Sequence, residues 1–269
     1  MRRIVLAVLT LFTAAAHAGE GTRWAENANL RYESPQWFAL EIKFGGYTPH
    51  IDSSPGLKGT PFSDLFNPQG TTGQPPERLL STIEFDVQFL KKVGTLGAGL
   101  SLGFMRRTTH SFQYLDTSGT VACMVPNCIR SGDQTALNML PVEALLVYRF
   151  DYLAKRWRIP LVPYVKLGLA YYFWWIENGA GGIAQSPPDK NGNTTGGWGG
   201  TFGWVAEPGL SLLLDVLEPQ AAKVMDAELG INHTYLFGEL HYADISGFGA
   251  SNKLVLSDLS WNVGLAFEF

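Results

Sequence analysis

Ten charged residues recur at alternate positions inside apolar stretches of this sequence. They are Glu41, Lys43, Glu84, Asp86, Glu143, Arg149, Lys166, Glu207, Glu239 and Glu268. Paired carboxylates of this kind can do acid–base chemistry, but an isolated buried charge costs several kcal/mol, so inward acids and bases are expected to pair with one another. The pattern therefore predicts a structural charge network, and it assigns no catalytic residue.

Two histidine arrangements suggest other chemistry. His110 and Ser111 follow directly after a predicted strand, at the end expected to face the outside of the cell, where a lipid hydrolase would need them. However, adjacent strand residues point to opposite faces, and no carboxylate is evident to orient the histidine. His233 and His241, with Glu239 nearby, are a possible metal or proton site on one strand. Packing and hydrogen bonding are the favoured roles for them, and we predict no metal or cofactor.

The only two cysteines, Cys123 and Cys128, lie in a stretch that also contains proline and asparagine. In an exported protein such a close pair favours a disulfide that pins a loop. A metal site would need further ligands, and no histidine lies nearby in the sequence.

The final residues, 259–269, alternate strictly between apolar and polar or small side chains. The apolar set includes Trp261, Val263, Leu265, Phe267 and Phe269. A period of two places successive side chains on opposite faces of a β-strand. A last strand that ends on an aromatic residue is typical of bacterial outer-membrane barrels, and we expect it to bind the barrel assembly machinery.

The same alternation recurs along the chain and predicts eight strands. Their predicted ranges are 36–47, 82–89, 96–108, 138–150, 164–173, 201–214, 231–242 and 259–269. Long connections, 48–77, 110–136, 177–197 and 247–256, alternate with three shorter ones, of which the last contains a brief helix at 219–227. Transmembrane barrels keep long loops outside the cell and short turns in the periplasm. We predict an all-β fold: an eight-stranded antiparallel up-and-down transmembrane β-barrel.

Alternation alone does not tell which face meets lipid, because a soluble barrel has the same period with its apolar face inside. Three features favour the membrane arrangement: glycines on the polar faces, charges at mid-strand on those faces, and aromatics near the strand ends. An eight-stranded barrel is just wide enough for its own side chains to fill it. A large open pore is therefore not expected.

The remaining segments indicate export. Residues 1–18 read as a cleaved signal peptide, 19–35 as a short periplasmic segment, and 36–269 as the barrel. Removing Arg2 and Arg3 leaves 18 basic against 24 acidic residues, a net charge of −6. This acidic balance excludes a basic nucleic-acid-binding surface.

Three segments carry a family resemblance. They are Tyr148-Arg149-Phe150-Asp151, the run from Pro160 to Gly168, and Gly230-Ile231-Asn232-His233-Thr234. With the signal and the terminal Phe269, the chain resembles a family of outer-membrane β-barrels of myxobacteria and their relatives. The resemblance implies the barrel fold, and because that family has no established activity, it implies no catalytic residue.

We therefore predict an integral outer-membrane protein that serves as a structural anchor and displays its loops for interaction. The alternatives are a lipid-modifying enzyme of the outer membrane and a narrow channel for small solutes. The expected partners are outer-membrane lipid, the assembly machinery and an unidentified extracellular or envelope ligand.

Overall fold

The computed structural model of the protein describes residues 36–67, 73–91, 94–114, 128–151, 159–186, 188 and 191–269. The predicted signal peptide, the predicted periplasmic segment and Cys123 lie outside these residues. The disulfide between Cys123 and Cys128 therefore stays a prediction.

Eight antiparallel strands close into one barrel in which each strand pairs with its neighbours in sequence. They are β1 (Phe38–Tyr47), β2 (Arg78–Leu90), β3 (Thr95–Tyr114), β4 (Cys128–Arg149), β5 (Leu161–Glu177), β6 (Trp198–Leu213), β7 (His233–Asp244) and β8 (Asp258–Glu268). The last strand closes the barrel against the first, with Leu40 opposite Phe267 and Phe44 opposite Val263. The predicted fold is confirmed.

The alternation of side chains along each strand separates an apolar outside from a polar inside. Phe85 and Val263 are each 46% exposed and Leu169 is 62% exposed, whereas the neighbouring Glu84 and Lys166 are fully buried. A soluble barrel would have the opposite arrangement. A contiguous apolar surface around a whole protein is expected only where lipid or another apolar partner covers it.

The hairpin of β3 and β4 is longer than predicted. The sequence predicted a loop over 110–136, but the ladder continues, with Thr109 opposite Thr135 and His110 opposite Gln134. Outward residues of this extension, such as His110 and Gln134, are polar and exposed. The extension carries no apolar stripe, so the apolar–polar alternation ends before the backbone hydrogen bonds of the ladder end. The predicted bounds of the loop, 110–136, were therefore wrong.

The connections divide between two ends of the barrel. We call the end with connections 48–77, 115–127, 178–197 and 245–257 the loop end, and the end with 91–94, 150–160 and 214–232 the turn end. The first loop contains helix α1 (Pro61–Phe66), and the last turn-end connection contains helix α2 (Pro219–Leu229). This connection is the longest at the turn end because it carries α2.

Among the described residues, no helix is both long enough and apolar enough to cross a bilayer.

An apolar layer, here called the mouth layer, fills the barrel at the loop end. Its buried members include Tyr47, Ile51, Phe62, Leu80, Met105, Met139, Tyr172, Val205, Ile245 and Leu256. Ile51 and Phe62 come from the first loop, whereas the others line the barrel wall or its rim. A smaller buried cluster of Val162, Tyr164, Tyr235, Phe237 and Ala266 forms separately inside the wall.

Candidate functional site

The structure places all ten predicted charged residues on the inner wall of the barrel, and all ten are buried. With His241, which is also buried, they form what we call the lumenal network. The strands bring them together because each contributes its inward positions at a period of two.

Lys43 on β1 lies at the centre of the lumenal network. Its Nζ donates to Glu84 at 2.9 Å, to Glu207 at 2.9 Å and to Glu239 at 2.8 Å. The three carboxylates come from β2, β6 and β7, so one ammonium group connects three strands to β1. An ammonium group has three protons to donate, and here each has a carboxylate acceptor.

Lys166 on β5 makes a second centre beside the first. Its Nζ lies 2.5 Å from Glu41 Oε2 and 2.8 Å from Glu84 Oε1, with Glu239 Oε2 at 3.6 Å. Glu84 and Glu239 are therefore shared with Lys43. Sharing carboxylates between two cations limits the repulsion between the lysines, which are both buried in the lumen.

Arg149 on β4 organises a third group. It donates to Glu41 Oε1 at 2.5 Å, to Asp86 Oδ2 at 2.8 Å and to Glu268 Oε1 at 2.8 Å. Gln88 also donates to Glu268, at 2.9 Å. A planar guanidinium has five N–H donors, and this one links β1, β2 and β8 through carboxylates.

Uncharged polar side chains complete the network, and the sequence assigned them no role. Tyr164 donates to Glu239 at 3.0 Å, Tyr172 to Glu143 at 2.9 Å and Tyr235 to Glu268 at 3.1 Å. Tyr164 and Tyr172 are an even number of residues away from Lys166, so they share its face of β5. This spacing could have predicted that they line the lumen. A buried tyrosine hydroxyl usually has a hydrogen-bond partner, and an inward tyrosine among acids finds a carboxylate.

Two glycines on the inner face make room for these side chains. A Cβ on Gly209 would lie 2.3 Å from the ring of Tyr164, the tyrosine that reaches Glu239. A Cβ on Gly99 would lie 2.3 Å from Asp86 Oδ1. These glycines allow bulky inward side chains to cross the face of the neighbouring strand.

The two histidines of β7 do not form one site. His241 is buried, with Nε2 at 3.2 Å from Glu143 Oε1 and 3.4 Å from Glu207 Oε1. His233 is half-buried at the turn end, with Nδ1 at 2.6 Å from Asp215 Oδ2. The sequence grouped His233 with His241, but the structure gives each its own partners.

The structure does not join His110 to Ser111. Both residues lie on β3, and the Ser111 hydroxyl contacts Ser131 Oγ at 2.7 Å and the Asp133 carbonyl oxygen at 3.1 Å. His110 is exposed and follows Thr109 in the ladder opposite β4. A hydrolase would need the serine hydroxyl bonded to the imidazole. No such hydrogen bond occurs between these two described residues.

The outside and the inside of the barrel together define the class of protein. Every strand hydrogen-bonds to both of its neighbours in a closed sheet, the outward side chains of the strands are largely apolar, and the lumenal network lies inside. Only closed barrels and helices can meet hydrocarbon in this way. The chain is a transmembrane β-barrel of the bacterial outer-membrane type.

Comparisons with solved structures return barrels of other bacteria at low sequence identity. The attachment invasion locus protein Ail of Yersinia pestis is 10% identical, with 88% of this chain and 100% of that chain covered and a TM-score of 0.40. Neisserial surface protein A is 12% identical, with 86% and 95% covered and a TM-score of 0.43. The N-terminal β-barrel domain of Pseudomonas aeruginosa OprF is 11% identical, with 87% and 100% covered and a TM-score of 0.33.

No protein-family model matches the chain, and no curated protein matches it. The resemblance to a myxobacterial family therefore stays a prediction.

Proposed function

We propose that this protein is a closed outer-membrane anchor that displays an ordered surface built from its loops. The observation that carries the proposal is the filling of the barrel by its own side chains. The lumenal network occupies the interior, and Ile51 and Phe62 of the first loop pack into the mouth layer above it. A lumen filled in this way supports a role for the loop surface that the barrel carries.

The first loop is held in place by hydrogen bonds at the loop end. Asp52 accepts from the backbone N–H of Phe62 at 2.7 Å and of Ser63 at 2.9 Å, at the start of α1. Arg130 on β4 donates to the carbonyl oxygens of Leu65 at 2.6 Å and Asn67 at 3.0 Å. A loop ordered before it meets a partner loses less conformational entropy on binding.

A groove at the loop end is the candidate docking place. It has a volume of about 450 Å³ and lies between the first loop, the start of β6 and the last loop. Its lining includes Pro55, Leu57, Trp174, Trp198 and Lys253, and Trp198 is 67% exposed. Aromatic walls with a few polar groups are usual in ligand sites. The groove supports the expectation of an extracellular or envelope ligand.

Labelling of intact cells tests which end faces outward. Ser251→Cys at the groove should react with a membrane-impermeant maleimide, whereas Lys223→Cys on α2 should react only after the outer membrane is opened. The unsubstituted protein measures the labelling of Cys123 and Cys128. Labelling of residue 223 but not of residue 251 in intact cells would contradict the proposed orientation.

The outer surface gives a second test, because a charge facing lipid is costly. Leu169→Arg should lower the free energy of unfolding in a bilayer by about 2–4 kcal/mol, the cost found near the bilayer midplane. Leu217→Arg is the matched control, since Leu217 is 74% exposed at the turn end and outside the strands. Denaturant titration in vesicles measures both, and equal losses would contradict the lipid-facing assignment.

The channel alternative predicts ion flow through the barrel. Purified protein in a planar bilayer should show no conductance steps if the mouth layer and the network close the lumen. Regular steps that disappear in a substitution of a lumenal residue would replace the anchor proposal with a channel. For the lipid-modifying alternative, no hydrogen bond joins the candidate nucleophile Ser111 to the candidate base His110.

A further inference from the structure

Glu143 differs from the other acids of the lumenal network in its partners. Six of the seven network carboxylates lie within 4.0 Å of a lysine or arginine. Glu143 is the exception among the described residues, since its ion-pair partner there is His241. Glu143 is 3% exposed, so bulk solvent does not reach its charge.

One carboxylate oxygen of Glu207 is directed at the imidazole ring of His241. Its Oε2 accepts from Lys43, but its Oε1 is buried with no hydrogen-bond partner among the described residues. That oxygen lies 3.4 Å from His241 Nε2. A buried carboxylate oxygen without a donor costs free energy, so its orientation toward the imidazole and Glu143 indicates a missing positive partner.

The spacing of the three groups suits a small cation. One ligand atom from each of Glu143, Glu207 and His241 lies within 4.8 Å of the others, and two of the three separations are 3.2 Å and 3.4 Å. In a tetrahedral zinc site with bonds of about 2.0–2.1 Å, neighbouring ligand atoms are roughly 3.3 Å apart. Imidazole with carboxylates is also a donor set that zinc accepts.

A second acidic cluster shows what a site already filled by side chains looks like. Glu41, Glu84 and Asp86 also lie within ligand distance of one another. Arg149 and Lys166 occupy that cluster, with contacts of 2.5–2.8 Å to its carboxylates. The two clusters therefore differ in their cations: a lysine or arginine contacts every acid of this one, whereas in the other Glu143 has His241 alone as its ion-pair partner among the described residues.

The charge of the whole network points the same way. Seven carboxylates face three lysine or arginine side chains, an excess of four negative charges, or three if His241 is protonated. A divalent cation removes half or more of this excess from a region where charges are poorly screened.

We propose that Glu143, Glu207 and His241 bind one divalent cation of the zinc type inside the barrel. Glu143 Oε1, Glu207 Oε1 and His241 Nε2 are the ligand atoms. Tyr172 and Lys43 orient the two carboxylates by donating to Glu143 Oε1 and Glu207 Oε2. Such outer partners fix the ligands of metal sites.

The position of the site determines how the ion enters. All three ligand residues are buried, and the mouth layer covers the loop end of the lumen. The cation is therefore bound while the strands assemble, and the folded barrel holds it as a structural ion. Metal binding of this kind is coupled to folding.

The experiment refolds the full chain from denaturant into detergent micelles with and without Zn²⁺. Folding is followed by heat-modifiable migration on a gel, and bound metal is measured by mass spectrometry after gel filtration. We expect one zinc per folded wild-type chain, and a loss of affinity of at least about 100-fold in H241Q and E207Q, beyond what loss of an outer partner costs. E268Q is the matched control, since Glu268 is a buried network acid outside the three ligands, and it should keep its zinc.

Refolding with Co²⁺ keeps the test decisive if the substituted barrels do not fold. Tetrahedral coordination of Co²⁺ by the wild-type chain should give visible absorption bands that are lost when Zn²⁺ is also present during refolding. Folded wild-type protein without bound metal or without these bands would overturn the proposal, as would zinc retained in folded H241Q. The loop-based function does not depend on either result.

Discussion

The middle and the mouth of the barrel lumen are filled in different ways. In the middle, strand residues fill the lumen with ion pairs, as around Lys43 and Lys166. At the mouth, many inward residues of the strands are apolar, and Ile51 and Phe62 of the first loop pack among them. The side chains that fill the middle all come from strands, whereas the mouth also needs side chains from a loop.

This difference predicts that the lumenal ion pairs stabilise the barrel, whereas the mouth layer holds the first loop in place. Ion pairs across the lumen tie strand to strand, so the loss of one partner should affect the whole barrel. Apolar contacts at the mouth tie a loop to the wall, so their loss should affect the loop first. Three substitutions can break or sharpen this distinction.

Lys166→Met should have the largest effect. It removes a fully buried cation and leaves Glu41 and Glu84 with less compensation, which should lower the free energy of unfolding by about 3–5 kcal/mol. Lys223→Met on α2 is the control, because that lysine is exposed and should change stability by less than about 0.5 kcal/mol. Denaturant titration measures both. A loss of less than about 1 kcal/mol in Lys166→Met would show that the middle does not depend on its ion pairs.

Phe62→Ala should have a smaller and local effect. The buried ring packs in the mouth layer, so its loss should weaken docking of the first loop by about 3 kcal/mol. Limited proteolysis should cleave 48–77 faster, while the unfolding midpoint of the barrel stays unchanged. Phe248→Ala, at a residue that is 68% exposed, should alter neither. A large shift of the barrel midpoint in Phe62→Ala would remove the distinction between mouth and middle.

Asp52→Ala should have the smallest effect. Asp52 caps α1 through the N–H groups of Phe62 and Ser63, and loss of such a cap costs about 1 kcal/mol. The proteolysis rate of the first loop should rise about fivefold, since 1 kcal/mol changes an equilibrium by that factor. Asp52→Asn keeps a capping oxygen and should show part of the increase. Identical rates in wild type and Asp52→Ala would show that the cap does not hold the loop.

The sequence was sufficient to predict the barrel and its inward charges, because alternation along a strand is a local property. Glu41 and Lys43 must share a face whichever strands lie across from them. The pairing partners were not predictable in this way. Whether Lys43 meets Glu207 or Glu143 depends on the stagger of strands around the barrel, which no single segment encodes.

Other features escaped prediction for identifiable reasons. The outer parts of β3 and β4 carry polar residues on the exposed face, so their strand character has no hydrophobic period. Asp52 caps a helix that begins nine residues further on, across a stretch rich in glycine and proline. The Glu143–Glu207–His241 cluster draws on three strands, and the sequence grouped His241 with its neighbours on β7 instead.

The positions of the Lys43 partners along the chain also constrain the order in which the strands can assemble. They lie 41, 164 and 196 residues away along the chain. A partly assembled sheet that lacks β6 and β7 would enclose an ammonium group with one of its three acceptors. Partly assembled barrels are therefore unstable until nearly all strands are in place. Isolated fragments of the barrel should not fold stably on their own.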